Sequence, residues 1–184
     1  MRASKYAAGS QFAIGESAVN EIGNSVVVTG VAWMGHGIGS IESTLERLFR
    51  EAEQEITLTA YAISSVDCLF EWLEASLARG VQVKLIVNRL ATQPLDVVSR
   101  LRCLTDNYPH LHLYDFVHEG EADLHAKVVV VDRRIALIGS SNLSRRGLLA
   151  NHEIAVVVQG AGAAIAASAL DRLFANQYAV RVQQ

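Results

Sequence analysis

The feature that most constrains this sequence is a regular alternation of short apolar runs with amphipathic segments in the middle of the chain. Strand-like runs occupy residues 56–63, 81–87 and 111–117, and a segment with helical periodicity separates each run from the next. Strand and helix in alternation predict parallel strands, because each helix carries the chain back to the start of the next strand. The sequence therefore predicts an α/β protein with helices packed on a sheet.

The alternation of strands and helices ends in the last third of the chain. Two apolar runs, 124–132 and 135–138, are separated by only two arginines, which is hairpin spacing and requires an antiparallel pair. A further strand is predicted over 153–158 and a closing helix over 161–178. Together these elements predict a mixed β-sheet flanked by helices in an α/β/α sandwich.

Length and composition fit one folded domain. The chain has 184 residues, of which 51% are hydrophobic and 19% charged, so it can bury a core without a disulfide or metal. We expect residues 1–40 to form an N-terminal extension with a glycine-rich loop, and residues 41–184 to form the main domain. The glycine-rich loop contains His36, whose role the sequence leaves open.

Charge and hydropathy limit the classes of partner and the location. The net charge of −3 excludes a protein that holds nucleic acid by bulk positive charge, so any anionic substrate must be held locally. No run approaches the roughly 20 apolar residues of a membrane span, and the first residues lack the pattern of a signal peptide. We therefore expect a cytoplasmic protein that does not associate with membranes.

The residues best suited to chemistry lie in the run that precedes the hairpin. His125 and Lys127 alternate along a predicted strand and therefore share one face, whereas Asp132 has the opposite parity and lies at the turn. Burying a histidine and a lysine among valines is costly, so we expect both to line a cleft. A nucleophile beside a fixed cation is what attack on a phosphate requires.

Four later positions complete a candidate site. Gly139 lets the chain turn closely, and Ser140 and Asn142 supply neutral hydrogen-bond donors, although such residues are also common turn formers. Glu153 opens the neighbouring strand and could accept a proton from the second ring nitrogen of His125, which would fix its tautomer.

The spacing of these residues resembles the HKD signature of the phospholipase D superfamily. That signature, His-x-Lys-x4-Asp-x6-Gly-Ser-x-Asn, is filled here by His125, Lys127, Asp132, Gly139, Ser140 and Asn142. The resemblance covers residues 41–178 and implies a phospholipase D-like fold, with residues 41–184 as its catalytic domain. It also implies a mainly structural role for Asp132, which agrees with the parity argument.

The same resemblance implies roles for the remaining site residues. His125 would be the nucleophile that forms a phosphohistidine intermediate. Lys127 and Asn142 would bind the phosphate with help from Ser140, and Glu153 would orient His125. Neither a metal nor another cofactor is expected, since the other histidines lack the spacing of a zinc site and no carboxylate cluster accompanies them.

The number of motifs has a consequence for assembly. The family's active site uses two such motifs, one histidine attacking and the other protonating the leaving oxygen, and this chain carries one. Single-motif members complete the site by homodimerisation across a two-fold axis. We therefore expect a homodimer in which nucleophile and general acid come from different subunits.

The expected substrate class depends on the size of the chain and on short segments that are similar to one member of the superfamily. Small single-motif members are typically bacterial nucleases, and residues 28–30, 58–63 and 151–154 are similar to the phospholipase-D-like component of the DISARM phage-defence system. We expect a metal-independent endonuclease acting on DNA or RNA in phage defence, with other subunits of a defence system as partners. The alternatives are a lipid headgroup hydrolase or transferase and a catalytically silent subunit of a defence complex.

Two further groups of residues, a pair of arginines and three aromatic residues, are considered for contacts with the substrate. Arg145 and Arg146 are candidates for phosphate contacts in the substrate, with a solvated helix start as the alternative. Trp33, Trp72 and Tyr61 could stack on bases, but their apolar neighbours favour positions in the core.

Overall fold

A computed structural model describes residues 23–33, 37–64 and 67–183, which form one nine-stranded sheet with helices against it. The strands are β1 (Ser25–Thr29), β2 (Gly39–Ser40), β3 (Glu55–Ala60), β4 (Gln82–Asn88), β5 (Leu111–Phe116), β6 (Val128–Val131), β7 (Ile135–Gly139), β8 (Glu153–Gln159) and β9 (Ala179–Arg181). The helices are α1 (Ile41–Glu51), α2 (Asp67–Ala78), α3 (Leu95–Asn107), α4 (Arg145–Leu149) and α5 (Ala161–Phe174), with a 3-10 turn over Leu90–Thr92.

The sheet has the order β2-β1-β8-β7-β6-β3-β4-β5-β9 and mixed strand directions. Strands β3, β4 and β5 run parallel, as the alternation of strands and helices predicts. Strands β6 and β7 form the predicted antiparallel hairpin, and β8 and β1 continue the antiparallel part. The predicted mixed sheet is therefore confirmed.

Helices cover the two faces of the sheet unequally. Helices α1, α2 and α3 bury one face in the main core, where the side chains most completely removed from solvent include Leu45, Phe49, Leu58, Leu73, Leu85 and Leu101. Helix α5 covers part of the other face through Ala163, Ala167 and Leu170, which pack on Val130 and Ala136. None of the helices within the described ranges has the length and the apolar run needed to span a bilayer.

The element bounds differ from the expectation in several places. The strand predicted over 56–63 ends at Ala60. The strand predicted over 124–132 begins only at Val128, because Leu124 and Ala126 bond to the side chains of Asn88 and Thr59 rather than to a neighbouring strand. The closing helix predicted to reach residue 178 ends at Phe174, and the chain then pairs with β5 as β9. Helix α4 is too short for its periodicity to show in the sequence.

The predicted N-terminal extension over 1–40 lies partly outside the described residues. Residues 1–22 and His36 of the glycine-rich loop are not among them. From residue 25 onwards the chain belongs to the main sheet, since β1 pairs along five residues with β8. Helix α1 then begins after Ser40, whose hydroxyl accepts a hydrogen bond from the backbone of Ser43 and caps the helix.

The strand directions bring several chain segments to one edge of the sheet. The carboxyl ends of β3 and β4 lie beside the start of β6, because β6 runs antiparallel to β3. The end of β7 and the start of β8 adjoin the same place. In open α/β sheets, ligands bind at the carboxyl edge of the parallel strands, so this edge is the natural position for a site.

Candidate active site

The segment that carries the predicted nucleophile and lysine is fixed by two buried polar side chains. The Asn88 Oδ1 atom at the end of β4 accepts a hydrogen bond of 2.8 Å from the backbone of Leu124. The Thr59 hydroxyl donates to the carbonyl of Ala126 at 2.8 Å and accepts from the backbone of Val128 at 3.1 Å. Backbone contacts at every second residue hold the segment extended and leave the side chains between them at the surface.

His125 and Lys127 contact each other at this edge. The Lys127 ammonium lies 2.9 Å from Nδ1 of His125 and donates to the His125 carbonyl at 2.8 Å. His125 is exposed, while Lys127 is half-buried. Burial lowers the pKa of Lys127 below the ordinary lysine value, and the negative charge of Glu153 partly opposes this. This contact agrees with the prediction that His125 and Lys127 lie on the same face of an extended segment.

Tyr61 belongs to this site, and the prediction that it lies in the core is wrong. Its ring lies 4.5 Å from the imidazole of His125 between centroids, in a T-shaped arrangement, and 5.0 Å from the Lys127 ammonium. Trp72, by contrast, packs on Phe49 at the margin of the main core, as predicted. The signal that could have found Tyr61 is its place immediately after a parallel strand, at the carboxyl edge.

Glu153 lies at the site but has partners other than the predicted one. Its carboxylate accepts a hydrogen bond from the Ser140 hydroxyl and another, of 3.1 Å, from the amide of Asn151. No hydrogen bond of the described residues joins it to His125, so the predicted orienting contact is absent from this arrangement. The pairing of β7 with β8 explains the difference, because it places Ser140 against Ile154, the residue next to Glu153.

Asn142 lies in the loop after β7, close to the short helix α4. Its Oδ1 atom is buried and has no hydrogen-bond partner within the described part of the chain. A side chain on Gly147 would meet the carbonyl of Asn142 at 2.4 Å, so glycine is required for this close approach. A buried amide oxygen without a partner is rare in folded proteins, and this one can only accept a hydrogen bond.

Gly139 ends β7 and faces β8. An added Cβ atom would meet that of Ala155 at 2.4 Å, so the position has no room for a side chain. The predicted reason was a tight turn, but the backbone of Gly139 does not have a positive φ. Glycine is needed here for close packing between neighbouring strands.

Asp132 lies at the turn between β6 and β7, at the opposite end of β6 from Lys127. Its carboxylate accepts three backbone hydrogen bonds of 2.8 to 3.0 Å, from Glu53, Gln54 and Glu55. These bonds tie the hairpin to the loop before β3. The contacts account for a structural role and keep Asp132 away from the site.

Arg145 and Arg146 begin helix α4 and are both exposed. The backbone of Arg145 donates to the hydroxyl of Ser64 at 2.9 Å, which joins the helix to the segment after Tyr61. Neither guanidinium takes part in an ion pair among the described residues. Two unpaired cations therefore lie on the chain that adjoins the site.

The remaining histidines are dispersed. His110 bonds to the carbonyl of Leu77, and His152 accepts from the backbone of Ala32 beside Trp33. Within the ranges that the structure describes, no three His, Cys, Asp or Glu side chains meet as a group that could hold a metal ion.

Comparison with known sequences identifies relatives of this fold. A family model described as "Cardiolipin synthase, PLD-like domain" matches residues 45–177. The chain is 30% identical over 138 residues to the DISARM protein DrmC of Bacillus paralicheniformis. The aligned segment covers 74% of this chain and 57% of that protein. It is 32% identical over 121 residues to cardiolipin synthase A of Yersinia pseudotuberculosis, covering 66% of this chain and 24% of that enzyme. The chain thus spans only part of the length of both relatives.

Solved structures with the same fold extend over most of the chain. Nuc from Salmonella typhimurium, a phospholipase D family member, superposes with a TM-score of 0.69 at 20% identity and covers 88% of this chain and 100% of Nuc. NucT from Helicobacter pylori gives a TM-score of 0.67 at 16% identity, with the same coverage. Phosphatidylserine synthase from Haemophilus influenzae also gives 0.67, at 17% identity, over 86% of this chain and 40% of that enzyme. The predicted α/β fold class is confirmed.

Proposed function

Because this chain belongs to the phospholipase D superfamily, a family of phosphodiesterases and phosphotransferases, we propose that it hydrolyses phosphodiester bonds of nucleic acid through a phosphohistidine at His125. The observation that carries the proposal is the contact of 2.9 Å between His125 and Lys127 at an exposed edge of the sheet. An imidazole beside a fixed ammonium combines a nucleophile with a charge that stabilises the transferring phosphoryl group.

The proposed first step forms a bond between Nε2 of His125 and phosphorus, and breaks the bond to the leaving oxygen. Lys127 and the side-chain N–H of Asn142 donate to the non-bridging oxygens, on which negative charge increases. Water then attacks the phosphohistidine, which releases the second product and restores the imidazole. The leaving oxygen needs a proton in the first step, and a general acid must supply it.

The contact between Lys127 and His125 also defines a resting state. An ammonium that donates to Nδ1 leaves the proton of the neutral ring on Nε2, which then has no lone pair for attack. In the proposed mechanism an incoming phosphate draws the Lys127 ammonium onto its own oxygens. Nδ1 can then carry the ring proton, and Nε2 becomes the nucleophile.

We propose that a second copy of the chain supplies the general acid. An apolar row crosses the sheet on the face that carries α5, where Val26 on β1, Val156 on β8 and Ile138 on β7 are paired neighbours. These side chains lie beyond the part of the face that α5 covers and are 48%, 38% and 39% exposed. A two-fold dimer packs one such surface against its own copy, so this row would be covered in the proposed dimer.

Nucleic acid is the substrate that the surroundings of the site favour. The exposed guanidinium groups of Arg145 and Arg146 suit a polyanion with successive phosphates. Two structural relatives, Nuc and NucT, carry names consistent with this reading. The likeness to cardiolipin synthase A and phosphatidylserine synthase is the observation that favours a lipid phosphodiester as the second candidate.

The setting of the proposed reaction follows from the relative in the DISARM system. The likeness to DISARM protein DrmC supports a role in phage defence, with other subunits of a defence system as partners. In this proposal the reaction takes place in the cytoplasm. A catalytically silent subunit would have no need for an intact set of His125, Lys127 and Asn142. We therefore propose an active nuclease in that setting.

The proposed function is tested by incubating the purified protein with DNA, RNA and phosphatidylcholine in parallel, each with and without EDTA. We expect hydrolysis of DNA or RNA that EDTA leaves unchanged, because His125, Lys127 and Asn142 bind phosphate without carboxylate ligands for Mg²⁺. Products are separated on denaturing gels and by lipid chromatography. Cleavage that requires an added divalent metal would contradict the mechanism, and hydrolysis of the lipid alone would favour the second candidate.

Glu153→Gln is expected to lower the rate about tenfold without unfolding the protein, a loss comparable to one hydrogen bond to a charged group. The amide keeps the shape but removes the negative charge that favours the ammonium form of Lys127. The measurement is kcat/KM with the melting temperature alongside. Glu51→Gln is the matched control, since Glu51 pairs with Arg47 on the surface of α1. An unchanged rate in Glu153→Gln would remove Glu153 from the site.

A further inference from the structure

One aromatic side chain contacts both residues of the proposed catalytic pair. The Lys127 ammonium lies over the ring of Tyr61, 5.0 Å from its centroid, which is within the range of a cation–π interaction. The imidazole of His125 meets the same ring in a T-shaped contact with centroids 4.5 Å apart. Tyr61 thus forms a common support beneath a nucleophile and a cation that are themselves in contact.

A buried amide holds Tyr61 in this place. Gln93 is only 9% exposed, and its amide nitrogen donates to the carbonyls of Tyr61 at 3.1 Å and Asn88 at 2.9 Å. Its amide oxygen accepts from the backbone of Ile63 at 3.0 Å. Asn88 in turn holds the backbone of Leu124, the residue before His125. One buried network therefore fixes both the aromatic support and the segment that lies on it.

We propose that Tyr61 is a positioning residue, whose ring holds the Lys127 ammonium beside His125 and which Gln93 fixes in place. This inference rests on the proposed function for its link to catalysis, but the contacts exist whatever the substrate is. The ring face is occupied by Lys127, so its role is support within the site rather than stacking on a base.

The charges that face Lys127 determine the sign of the effect. Glu153 favours the ammonium form, burial disfavours it, and His125 lies in direct contact with it. The negative face of an aromatic ring stabilises a cation, so the Tyr61 ring raises the pKa of Lys127 relative to an aliphatic side chain at that position. Removing the ring should lower the pKa of Lys127 further.

The sequence makes this shift measurable, because the chain contains three lysines, Lys5, Lys84 and Lys127. We would label lysine with ¹³C, follow the ε-carbon signals by NMR as pH is raised, and assign Lys127 from its loss in Lys127→Arg. In Tyr61→Leu we expect Lys127 to titrate at lower pH than in the wild type, while Lys84 does not move. In Tyr61→Phe, which keeps the ring, Lys127 should titrate as in the wild type.

The matched control is Tyr108→Leu. Tyr108 is also half-buried and also makes a T-shaped contact with a histidine, His110, but it lies at the end of α3. If loss of any such tyrosine acted by destabilising the whole fold, Tyr108→Leu would also change the pH at which Lys127 titrates. We expect no shift in this control.

A second measurement covers the case in which Tyr61→Leu does not fold. Phenylalanines with increasing numbers of fluorine atoms, incorporated at position 61, keep the ring while weakening its negative face. The titration of Lys127 should move stepwise to lower pH along this series. Titration at one pH across the series, or an unchanged Lys127 in a folded Tyr61→Leu protein, would overturn the proposal.

Activity separates this inference from the proposed function. The rate should fall on the alkaline side as Lys127 loses its proton, and this limb should move to lower pH in Tyr61→Leu but not in Tyr61→Phe. If no substrate is cleaved but the NMR shifts occur, the proposed function fails while the support by Tyr61 stands. If cleavage is intact and neither the limb nor the NMR signal moves, the inference fails alone.

Discussion

A His125→Ala protein is expected to lose at least about 10³-fold in turnover, because both the nucleophile and the general acid of the proposed composite site are removed together. The chain should remain folded, since the His125 side chain is exposed and its backbone segment is held by Thr59 and Asn88. His112→Ala is the control for loss of a histidine elsewhere in the sheet. Residual activity near that of the wild type would exclude His125 as the nucleophile.

Mixed dimers test whether the site is shared. If each dimer has one composite site, a dimer with one His125→Ala subunit lacks either the nucleophile or the acid, and only wild-type dimers turn over efficiently. At equal amounts of wild type and mutant, specific activity should fall to about one quarter of its starting value, the share of wild-type pairs after random exchange. Activity is plotted against mutant fraction after subunit exchange has been confirmed independently.

The apolar row of Val26, Val156 and Ile138 provides an independent test of the proposed dimer. Val156→Lys places a charge in the middle of the row, and because Val156 is exposed in the single chain the fold should be kept. We expect monomers by light scattering and loss of turnover, whereas Val117→Lys, an exposed valine after β5, should leave both unchanged. A straight line in the mixing experiment, or a stable active monomer, would show that one chain suffices.

The part of the fold that sequence predicts best is the part with the longest periodic segments. The parallel strands β3, β4 and β5 and their helices follow from alternating patterns of ten or so residues, since each element must bury one face. The short edge strands β2 and β9 span two and three residues, too few for any periodicity. Their pairing depends on neighbours that are distant in the chain.

The site was predictable to the level of residue types and local spacing. His125 and Lys127 contact each other because two-residue spacing along an extended chain places them on one side. Tyr61 was misplaced because its neighbours are apolar, and local hydropathy cannot distinguish the end of a buried strand from its middle. The acceptor role of Glu153 depends on which donor lies across the strand, and the register of β7 with β8 brings Ser140 there instead of His125.

Asp132→Asn is expected to destabilise the protein by about 2 to 3 kcal/mol, through lost hydrogen bonds to a charged acceptor. Asp132 has φ of +50°, a conformation that Asp and Asn both tolerate, so the substitution leaves the backbone of the turn without added strain. The amide keeps one oxygen for Gln54 and Glu55, but its nitrogen then faces the N–H of Glu53, and two donors meet. For a chain of this length, that loss corresponds to a fall in Tm of about 5 to 10 °C.

Asp171→Asn is the matched control for this prediction, because Asp171 also contacts the hairpin, through an exposed ion pair of 2.8 Å with Arg133. Exposed pairs contribute at most about 1 kcal/mol, so its Tm should fall by clearly less. Below its melting range, Asp132→Asn should keep the kcat of the wild type, since the residue lies at the far end of β6 from Lys127. A variant with unchanged Tm and lost activity would instead place Asp132 in the chemistry, and the hydrogen bonds to the loop before β3 would not account for its role.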